Sequence, residues 1–407
     1  MNSLAPIARS PALRLAAVAM LLLGIQNASI GPYVSLIAIE TIGLSESVFA
    51  LVLTIGAIVA VVSAVAFGVL GDQYGWRRGI ALISASAAFL GLAILVLAPS
   101  AWALILCHAL LLPLGSSLYG QMFALTRLAS PQERGRETIQ GTIRAAMSIS
   151  FMVMLMFWTF ALGAGADVLW TFTAAALAAA ILLGVTALQW PRGDQPDWQD
   201  RPTGQSMGAA LRELARPAVA LRLAILGTIS SSFVLYFILV GLVFDASPSR
   251  DASDVALYVG MVAGWEVPLL ILLPRLLAYV SRSALIAIGA GFYGVHILLM
   301  PLWVDSVWLW AGTLIAGIGG TAFIGLTIGY YQDLLAGKPG AAGAMLAVQK
   351  LVADLLGAAG FALGMALGGL QTVAFISFGL TSCGALLLWA ADRWLWLNGA
   401  AKTAPKA

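Results

Sequence analysis

The chain has 407 residues, of which 61% are hydrophobic and only 10% are charged. Soluble domains are about 45–50% apolar and about 25% charged, so this composition argues against a water-soluble enzyme, a disordered protein or a nucleic-acid-binding protein. The formal net charge of +3 adds little by itself, because the positions of the charges are more informative than their sum.

Long apolar runs, rather than alternating ~10-residue strands, indicate an α-helical membrane protein and not a β-barrel. A spanning helix needs about 20 apolar residues, so twelve helices fit the chain with short loops and one longer linker. We interpret the first run as an uncleaved helix, because it is too long for a signal peptide alone. The predicted spans are residues 13–38, 47–70, 79–98, 101–126, 143–163, 168–189, 219–243, 254–274, 283–303, 307–332, 341–367 and 371–391.

Lysine and arginine are distributed unevenly between alternate loops, which predicts the orientation of the chain. With the N-terminus inside, every inner loop carries Lys or Arg, whereas the outer loops carry only Arg250 and are otherwise acidic. This alternation favours an even number of spans and two cytosolic termini. We therefore predict an all-α polytopic protein with two six-helix halves, residues 1–190 and 218–407, joined by a cytosolic linker, residues 191–217. A surface helix is expected at 207–216.

The residues that could support enzyme, metal or cofactor chemistry are few and scattered. Cys107 and Cys383 both lie in apolar runs, and His108 and His296 are far apart, so neither a disulfide nor a metal site is expected. Each histidine could be a hydrogen-bonded core residue or a proton shuttle. The chain has no phosphate-binding loop and no nucleophile motif, which argues against ATP-driven transport and against an enzyme.

The first motif follows the second span and reads Gly-Val-Leu-Gly-Asp-Gln-Tyr-Gly-Trp-Arg-Arg over residues 68–78. Gly68 and Gly75 permit close helix approach and a sharp turn. Asp72 could be received by the positive end of a neighbouring helix, and Arg77 and Arg78 would anchor the cytosolic face. The alternative is a generic basic turn.

Glu266 lies near the centre of the eighth predicted span. An ionisable side chain there costs at least ~2.5–3.5 kcal/mol, so it usually faces a cavity or a partner. It could be a substrate or proton site, or it could hold helices together. Pro268 would weaken the helix just beyond it.

Several other polar residues are candidates for binding. Gln26, Asn27 and Gln121 suit the recognition of hydroxyl groups, although hydrogen bonds between helices are an equal alternative. Arg144 cannot carry the proton because it is always charged, and it could bind substrate or extend to the membrane surface. Tyr119 and Tyr236 are weaker candidates.

Lys350 and Asp354 stand four residues apart on one helix face. They could neutralise each other as an intrahelical pair. Alternatively, they could bind a charged substrate or take part in proton coupling.

The loop motif at residues 68–78 resembles that of the major facilitator superfamily, with Gln73 as the departure. Further segments make the chain similar to the sugar efflux transporters of that superfamily. This resemblance implies a proton-linked exporter of sugars or sugar-like compounds from the bacterial cytoplasm. The segments are Gly120–Arg127, Gly135–Glu137, Arg144–Ser148, Trp265–Leu270 and Tyr331–Gly337.

Together these features predict a secondary transporter, expected to be a monomer in the bacterial inner membrane, with a small-molecule substrate and protons as its partners. The predicted substrate residues are Gln26, Asn27, Gln121, Arg144, Glu266 and Gln332. Glu266, Asp354 and Lys350 would couple protons, and Gly68, Asp72, Gly75, Arg77 and Arg78 would gate the cytosolic side. A multidrug exporter, an uptake symporter of the same fold and a non-transporting sensor are the alternatives.

Overall fold

The computed structural model describes residues 4–130, 133–191, 216–334 and 339–403, and its regular elements in those ranges are helices. Short helical pieces occupy Leu4–Arg9, Val34–Leu36 and a π-helical turn at Ile37–Thr41. The long helices are α1 (Pro11–Ile30), α2 (Glu46–Tyr74), α3 (Arg77–Leu97), α4 (Ala101–Leu106, a π-helical turn Cys107–Leu111, Leu112–Gly115 and Ser117–Ala129), α5 (Glu133–Gly163), α6 (Trp170–Gln189), α7 (Pro217–Asp245), α8 (Ala252–Leu276), α9 (Arg282–Trp303), α10 (Trp308–Leu334), α11 (Pro339–Gly368) and α12 (Leu370–Thr403).

These helices correspond to the predicted spans, with two kinds of difference. The first span is interrupted after α1 at Gly31 and Pro32, because proline lacks the N–H that would continue the helix. α5 and α12 extend well beyond their apolar runs, since backbone hydrogen bonding continues through polar residues. Within the described residues, eleven helices are long and apolar enough to cross a membrane. α8, which carries Glu266, is not among the eleven. The surface helix expected at 207–216 falls within 192–215, outside the described residues.

Local sequence explains where several helices begin and end. The Ser10 hydroxyl accepts a hydrogen bond from the Leu13 N–H (3.4 Å), and Pro11 follows as the first residue of α1. Ser281 caps α9 in the same way. α2 ends at Gly75, which has a φ of +65° and donates its N–H to the Gly71 carbonyl (3.1 Å). Glycine adopts this left-handed conformation readily, so it supports the sharp turn into α3.

The helices form two compact units. Among the described residues, the N-unit comprises 4–130, 133–191 and 251–257, and the C-unit comprises 216–250, 258–334 and 339–403. In the N-unit, α1 packs against α5 and α6, and α3 packs against α4 and α6. In the C-unit, α7 packs against α11 and α12, and α9 packs against α10 and α12. The second set repeats the first at an offset of six helices, which is an internal structural repeat.

Equivalent helix pairs in the two units cross at a glycine. A Cβ atom added at Gly24 of α1 would lie 2.1 Å from the Ser150 Oγ of α5. A Cβ at Gly227 of α7 would lie 2.5 Å from the Val352 Cβ of α11. Small residues allow helices to approach closely in lipid, where packing rather than the hydrophobic effect drives their association. The repeat therefore extends to the close contacts that hold each unit together.

The α9–α10 crossing is close enough to predict a stability effect. A Cβ at Gly319 would lie 2.6 Å from the Tyr293 backbone nitrogen and 2.7 Å from the Gly289 carbonyl, so the backbone would have to move. We expect Gly319→Ala to cost about 1–3 kcal/mol, the usual penalty for overpacking. The measurement is the thermal unfolding midpoint of the purified protein in detergent.

Gly291→Ala in α9 is the matched control, because nothing lies within 4 Å of its added Cβ. It should leave the midpoint unchanged or raise it slightly, since alanine is the better helix former. Equal midpoints for Gly319→Ala and Gly291→Ala would contradict the close crossing.

Asp251 caps the beginning of α8, the helix that carries Glu266. Its Oδ1 accepts hydrogen bonds from the Ser253 N–H (2.7 Å), the Ser253 hydroxyl (2.5 Å) and the Asp254 N–H (3.3 Å). The bond from the Ser253 hydroxyl is the main cause of the lowered pKa of Asp251, followed by burial, which opposes it, and by the backbone bonds. The ionised carboxylate is thus the form that the folded protein stabilises.

This lowered pKa predicts a pH-dependent contribution to stability. The cap should stabilise the protein fully above the unfolded pKa of Asp, about 3.9, and lose its effect as the pH falls through the lower folded value. At neutral pH, Asp251→Ala should cost about 0.5–2 kcal/mol, and this difference should narrow in acid. Thermal unfolding midpoints of the wild-type protein and of Asp251→Ala, measured across the pH range, test this prediction. Asp245→Asn, which changes an exposed carboxylate, is the control. A difference that widens in acid would contradict the assignment.

Candidate functional site

The C-unit holds Glu266 against one face of α10. The Trp265 Nε1 donates to the Thr313 Oγ1 (3.2 Å), and a Cβ at Gly317 would lie 2.5 Å from the Trp265 Cβ. A Cβ at Gly320 would lie 2.7 Å from the Glu266 Oε1. Thr313, Gly317 and Gly320 follow the i, i+4, i+7 spacing of a single helix face. The small residues of α10 therefore let α8 place the Glu266 carboxyl inside the unit.

A cluster of aromatic side chains lies next to Glu266 in the C-unit. Tyr293 of α9 is in contact range of Gly320, and its ring centroid lies 5.9 Å from that of Tyr236 and 5.5 Å from that of His296. The ring centroids of Tyr236 and His296 lie 5.4 Å apart. The His296 Nε2 and the Tyr258 hydroxyl form a hydrogen bond of 2.7 Å. Helices α7, α8 and α9 thus all contribute to one cluster.

Several polar atoms of this cluster have no protein partner. Within the described residues, the Tyr236 hydroxyl, the Tyr293 hydroxyl and the His296 Nδ1 are buried and make no hydrogen bond. All three side chains are only 1% exposed. The Glu266 carboxylate lies close enough to act electrostatically on both phenols. Buried polar groups are nearly always hydrogen-bonded, so these three atoms are the unusual feature of the cluster.

One end of the C-unit is tied together by a separate polar network. The Asp305 Oδ1 accepts hydrogen bonds from the hydroxyls of Ser247 (2.5 Å) and Ser249 (2.7 Å), which lower the pKa of Asp305. Arg250 lies over the ring of Trp310, 5.3 Å from its centroid. These contacts join the loop after α7 to the loop before α10, where α8 and α10 begin.

In the N-unit, the loop motif is a tight turn with a buried arginine. Arg77, the first residue of α3, is only 2% exposed. A Cβ at Gly71 would lie 3.4 Å from the Arg77 Cγ and 3.8 Å from the Gln121 Oε1. α4 therefore places Gln121, which is also buried, beside the turn that ends at Gly75.

Of the other residues of the loop motif, Arg78 makes a contact between helices, whereas Gly68 makes no close approach among the described residues. Arg78 is exposed and donates to the Ala187 carbonyl at the end of α6 (3.2 Å). Nothing described lies within 4 Å of a Cβ at Gly68, so the close approach expected there is not found among the described residues. The side chains of Asp72 and Gln332 lie outside the described part of the chain.

Gln26 and Asn27 are adjacent in α1 but differ in environment. Gln26 is 5% exposed, whereas Asn27 is on the surface. Arg144 is also exposed, and it lies inside α5, within the candidate span Ile139–Gly163 rather than at its boundary. Its charge lies within electrostatic range of Tyr119 on α4.

Lys350 and Asp354 form the intrahelical pair that their spacing allows, with 2.6 Å between Nζ and Oδ2. The lysine side chain is 68% exposed and the aspartate 16%. On the neighbouring face of α11, the buried Gln349 donates its Nε2 to the Ser230 Oγ of α7 (2.6 Å). The charges of Lys350 and Asp354 neutralise each other within α11, and Gln349 makes the polar contact between α11 and α7.

A buried ion pair was not anticipated from the sequence. Arg222 of α7 is 2% exposed and contacts the Asp392 Oδ1 of α12, 2.9 Å from its nearest nitrogen. The Tyr330 hydroxyl of α10 donates to the same oxygen (2.9 Å). The available signal was an arginine just inside the seventh predicted span. Its partner, Asp392, lies one residue beyond the twelfth predicted span, because the end of that span is placed where the apolar run stops.

The histidines and cysteines do not converge. His108 lies in the π-helical turn of α4, with its ring 5.6 Å from that of Phe172. Cys107 is buried and Cys383 exposed, and both are free thiols. In the ranges that the structure describes, no group of three or more His, Cys, Asp or Glu side chains could hold a metal ion.

The two ion pairs predict different costs of mutation. Asp392→Ala should cost about 3 kcal/mol or more, because it leaves Arg222 buried without its counter-ion. Asp354→Asn removes the partner of an exposed lysine and should cost less than about 1 kcal/mol. Unfolding midpoints of the two variants test this difference, and an equal loss in both would contradict the burial of the Arg222 pair.

Comparisons with known proteins agree on one architecture. The sequence model described as "Major Facilitator Superfamily" matches residues 16–361. A Deinococcus radiodurans protein named "Putative sugar efflux transporter" is 26% identical over 365 residues, covering 83% of this chain and 87% of that protein.

Solved structures show the same fold at low sequence identity. A mutant of the nucleoside transporter NupG has a TM-score of 0.76 at 14% identity, covering 94% of this chain and 100% of that chain. The peptide transporter POT in complex with sulfate has a TM-score of 0.73 at 12% identity, covering 97% and 98%. At such identities the likeness concerns the fold and not the substrate.

Proposed function

Because the chain belongs to the major facilitator superfamily, and is thus a multi-pass membrane transporter and not an enzyme, we propose that it exports a sugar or a related small polar metabolite. In this proposal the proton gradient drives transport. The protein acts as a monomer in the bacterial inner membrane, with both termini in the cytosol, as the distribution of lysine and arginine favours.

The observation that carries the proposal is the position of Glu266. A carboxylate in the membrane interior costs at least ~2.5–3.5 kcal/mol unless a partner or water compensates. Here it is placed against the small residues of α10 and beside the hydroxyls of Tyr236 and Tyr293. Protonation removes the charge and with it the cost, so Glu266 is suited to bind and release a proton.

Proton coupling requires that protonation change the balance between two conformations. A ligand shifts such a balance only by its differential affinity for the two states. Glu266 lies at the α8–α10 contact, where a Cβ at Gly320 would already meet its carboxyl. The charge on this carboxyl therefore affects how α8 and α10 pack. Two six-helix units are the arrangement on which alternating access depends.

The substrate class follows from the polar residues and from the named relative. Gln26, Asn27, Gln121 and Gln332 offer neutral donors and acceptors, and Arg144 adds a guanidinium that can bind hydroxyls. The indole of Trp265 is 40% exposed, so one of its faces is available to stack on a sugar ring. A relative named as a sugar efflux transporter supports the same class.

The other predicted residues take supporting roles. Asp72, Arg77 and Arg78, with Gly68 and Gly75, would gate the cytosolic side. Lys350 and Asp354 would be secondary to Glu266 in proton coupling, because each already neutralises the other at 2.6 Å.

A multidrug exporter is the second candidate, favoured by a specific observation. Export of hydrophobic cations needs a carboxylate among aromatic side chains, and Glu266 lies beside Tyr293, Tyr236 and Trp265. Arg144 and Lys350 argue against cationic cargo. An uptake symporter would use the same residues in the opposite direction.

Flux measurements on Glu266→Gln test the proposal. Proteoliposomes with an imposed pH gradient are supplied with labelled sugars, amino acids and cationic drugs in parallel. We expect sugar flux in the wild-type protein and a loss of at least tenfold in Glu266→Gln, because glutamine cannot release a proton.

Glu40→Gln, which changes an exposed carboxylate, is the control and should retain wild-type flux. Flux of cationic drugs without any sugar flux would favour the second candidate. Undiminished proton-driven flux in Glu266→Gln would remove this residue from the mechanism.

A further inference from the structure

Three neighbouring aromatic rings of the C-unit carry polar atoms without a described partner, and Glu266 acts electrostatically on two of them. The centroids of Tyr236, Tyr293 and His296 form a triangle with sides of 5.4–5.9 Å. Both tyrosine hydroxyls and the His296 Nδ1 are buried without a protein partner in the described part of the C-unit. A buried water typically bridges about three such groups. Water is therefore the guest whose hydrogen-bonding capacity matches these three groups.

His296 connects this triangle to Tyr258 through its other ring nitrogen. The Nε2 lies 2.7 Å from the Tyr258 hydroxyl, and the two rings are nearly parallel, with an interplanar angle of 19°. When Tyr258 donates to Nε2, the Nδ1 carries the hydrogen and can donate into the triangle. When Nε2 carries the hydrogen, the Nδ1 can accept. The neutral imidazole can therefore pass a proton between its two sides by exchanging tautomers.

Tyr258 lies on the side of the cluster that faces the Arg250–Asp305 network. It precedes Glu266 by eight residues in α8, which is about 12 Å along a helix. Its ring centroid lies 6.2 Å from that of Trp310, over which Arg250 is placed. A series of neighbouring side chains thus leads from Glu266 toward that end of the C-unit.

We propose that Tyr258 and His296, bridged by water to Tyr236 and Tyr293, form a proton relay that connects Glu266 with the end of the C-unit that carries Arg250 and Asp305. This inference rests on the proposed role of Glu266 as the proton-binding group. Tyr258 is fully buried, so the relay accepts protons when the loops at that end admit water.

The proton balance of the relay closes in every step. Water in the triangle donates a proton to the Glu266 carboxylate and takes one from the His296 Nδ1. The His296 Nε2 takes the proton of the Tyr258 hydroxyl, and Tyr258 takes one from a hydronium ion on the side of Arg250, which becomes water. One proton has then entered Glu266, every relay group is neutral, and His296 is left as the opposite tautomer. A 180° rotation of the His296 imidazole ring, together with rotation of the Tyr258 hydroxyl and the bridging water, restores the starting arrangement.

The groups around Glu266 are consistent with neutral relay members. α10 presents non-titratable groups at the contact, Thr313, Gly317 and Gly320. Among the described residues, the titratable groups on which the carboxylate acts are Tyr236 from α7 and Tyr293 from α9, and His296 and Tyr258 follow farther along the cluster.

Infrared spectroscopy after a rapid pH drop tests the relay without a transported substrate. The absorbance of the carbonyl stretching band of protonated carboxyl groups is recorded over time for the purified protein in liposomes. Subtracting the spectrum of Glu266→Gln from that of the wild-type protein isolates the band of Glu266. In Tyr258→Phe and in His296→Phe, we expect the band to appear at least tenfold more slowly with nearly the same final amplitude. A purely structural role would alter the thermal midpoint but not this rate.

Tyr33→Phe is the matched control, because Tyr33 is a fully buried tyrosine of the N-unit whose hydroxyl also lacks a described partner. It should keep the wild-type rate. Wild-type rates in both Tyr258→Phe and His296→Phe would overturn the relay while leaving Glu266 as a proton site.

Identical wild-type and Glu266→Gln spectra would instead overturn the proton role of Glu266, and the relay with it. If His296→Phe fails to fold, Tyr258→Phe decides the question, because it removes one oxygen and keeps the ring.

Discussion

The Glu266 carboxyl group, held at the contact of α8 with α10, is the constraint on which the C-unit depends. Such a group is stable only where neighbouring helices supply space and polar contacts. α10 supplies the space through Gly317 and Gly320, and Tyr236 of α7 and Tyr293 of α9 lie within electrostatic range of the carboxylate. The close crossing of α8 with α10, the crossing of α9 with α10 and the aromatic cluster are therefore parts of one arrangement.

The C-unit combines firmly joined ends with a polar middle. At one end, Asp305 and Arg250 tie together the loops after α7 and before α10. Arg222, Asp392 and Tyr330 join α7, α12 and α10 through a second, buried network. Between them lies the cluster around Glu266, whose hydroxyls are not satisfied by protein groups. Such a division allows the protonation state of the middle to change while the packing of the helix ends is kept.

The internal repeat explains why so much of the packing involves glycine. Lipid offers no hydrophobic driving force between helices, so their association depends on close van der Waals contact. Gly24 and Gly227 provide that contact at equivalent crossings of the two units. The sequence shows no evident identity between the halves, because only the small size at a crossing, and not the surrounding residues, has to be kept.

The sequence alone predicted the helical fold, the approximate limits of the spans and the turn at Gly75, and it singled out Glu266 as a candidate residue. These features follow from local composition: apolar length, glycine in a left-handed turn and a charge where charges are costly. It also allowed the Lys350–Asp354 pair, which needs only the spacing of one helix.

The packing of the helices was needed to show that Gln121 lies beside the turn at Gly71–Gly75, that Arg222 pairs with Asp392, and that Tyr236 and Tyr293 lie near Glu266. Those contacts bring together residues on different helices. Which residues meet depends on how each helix is rotated about its own axis, and a run of apolar residues does not define that rotation.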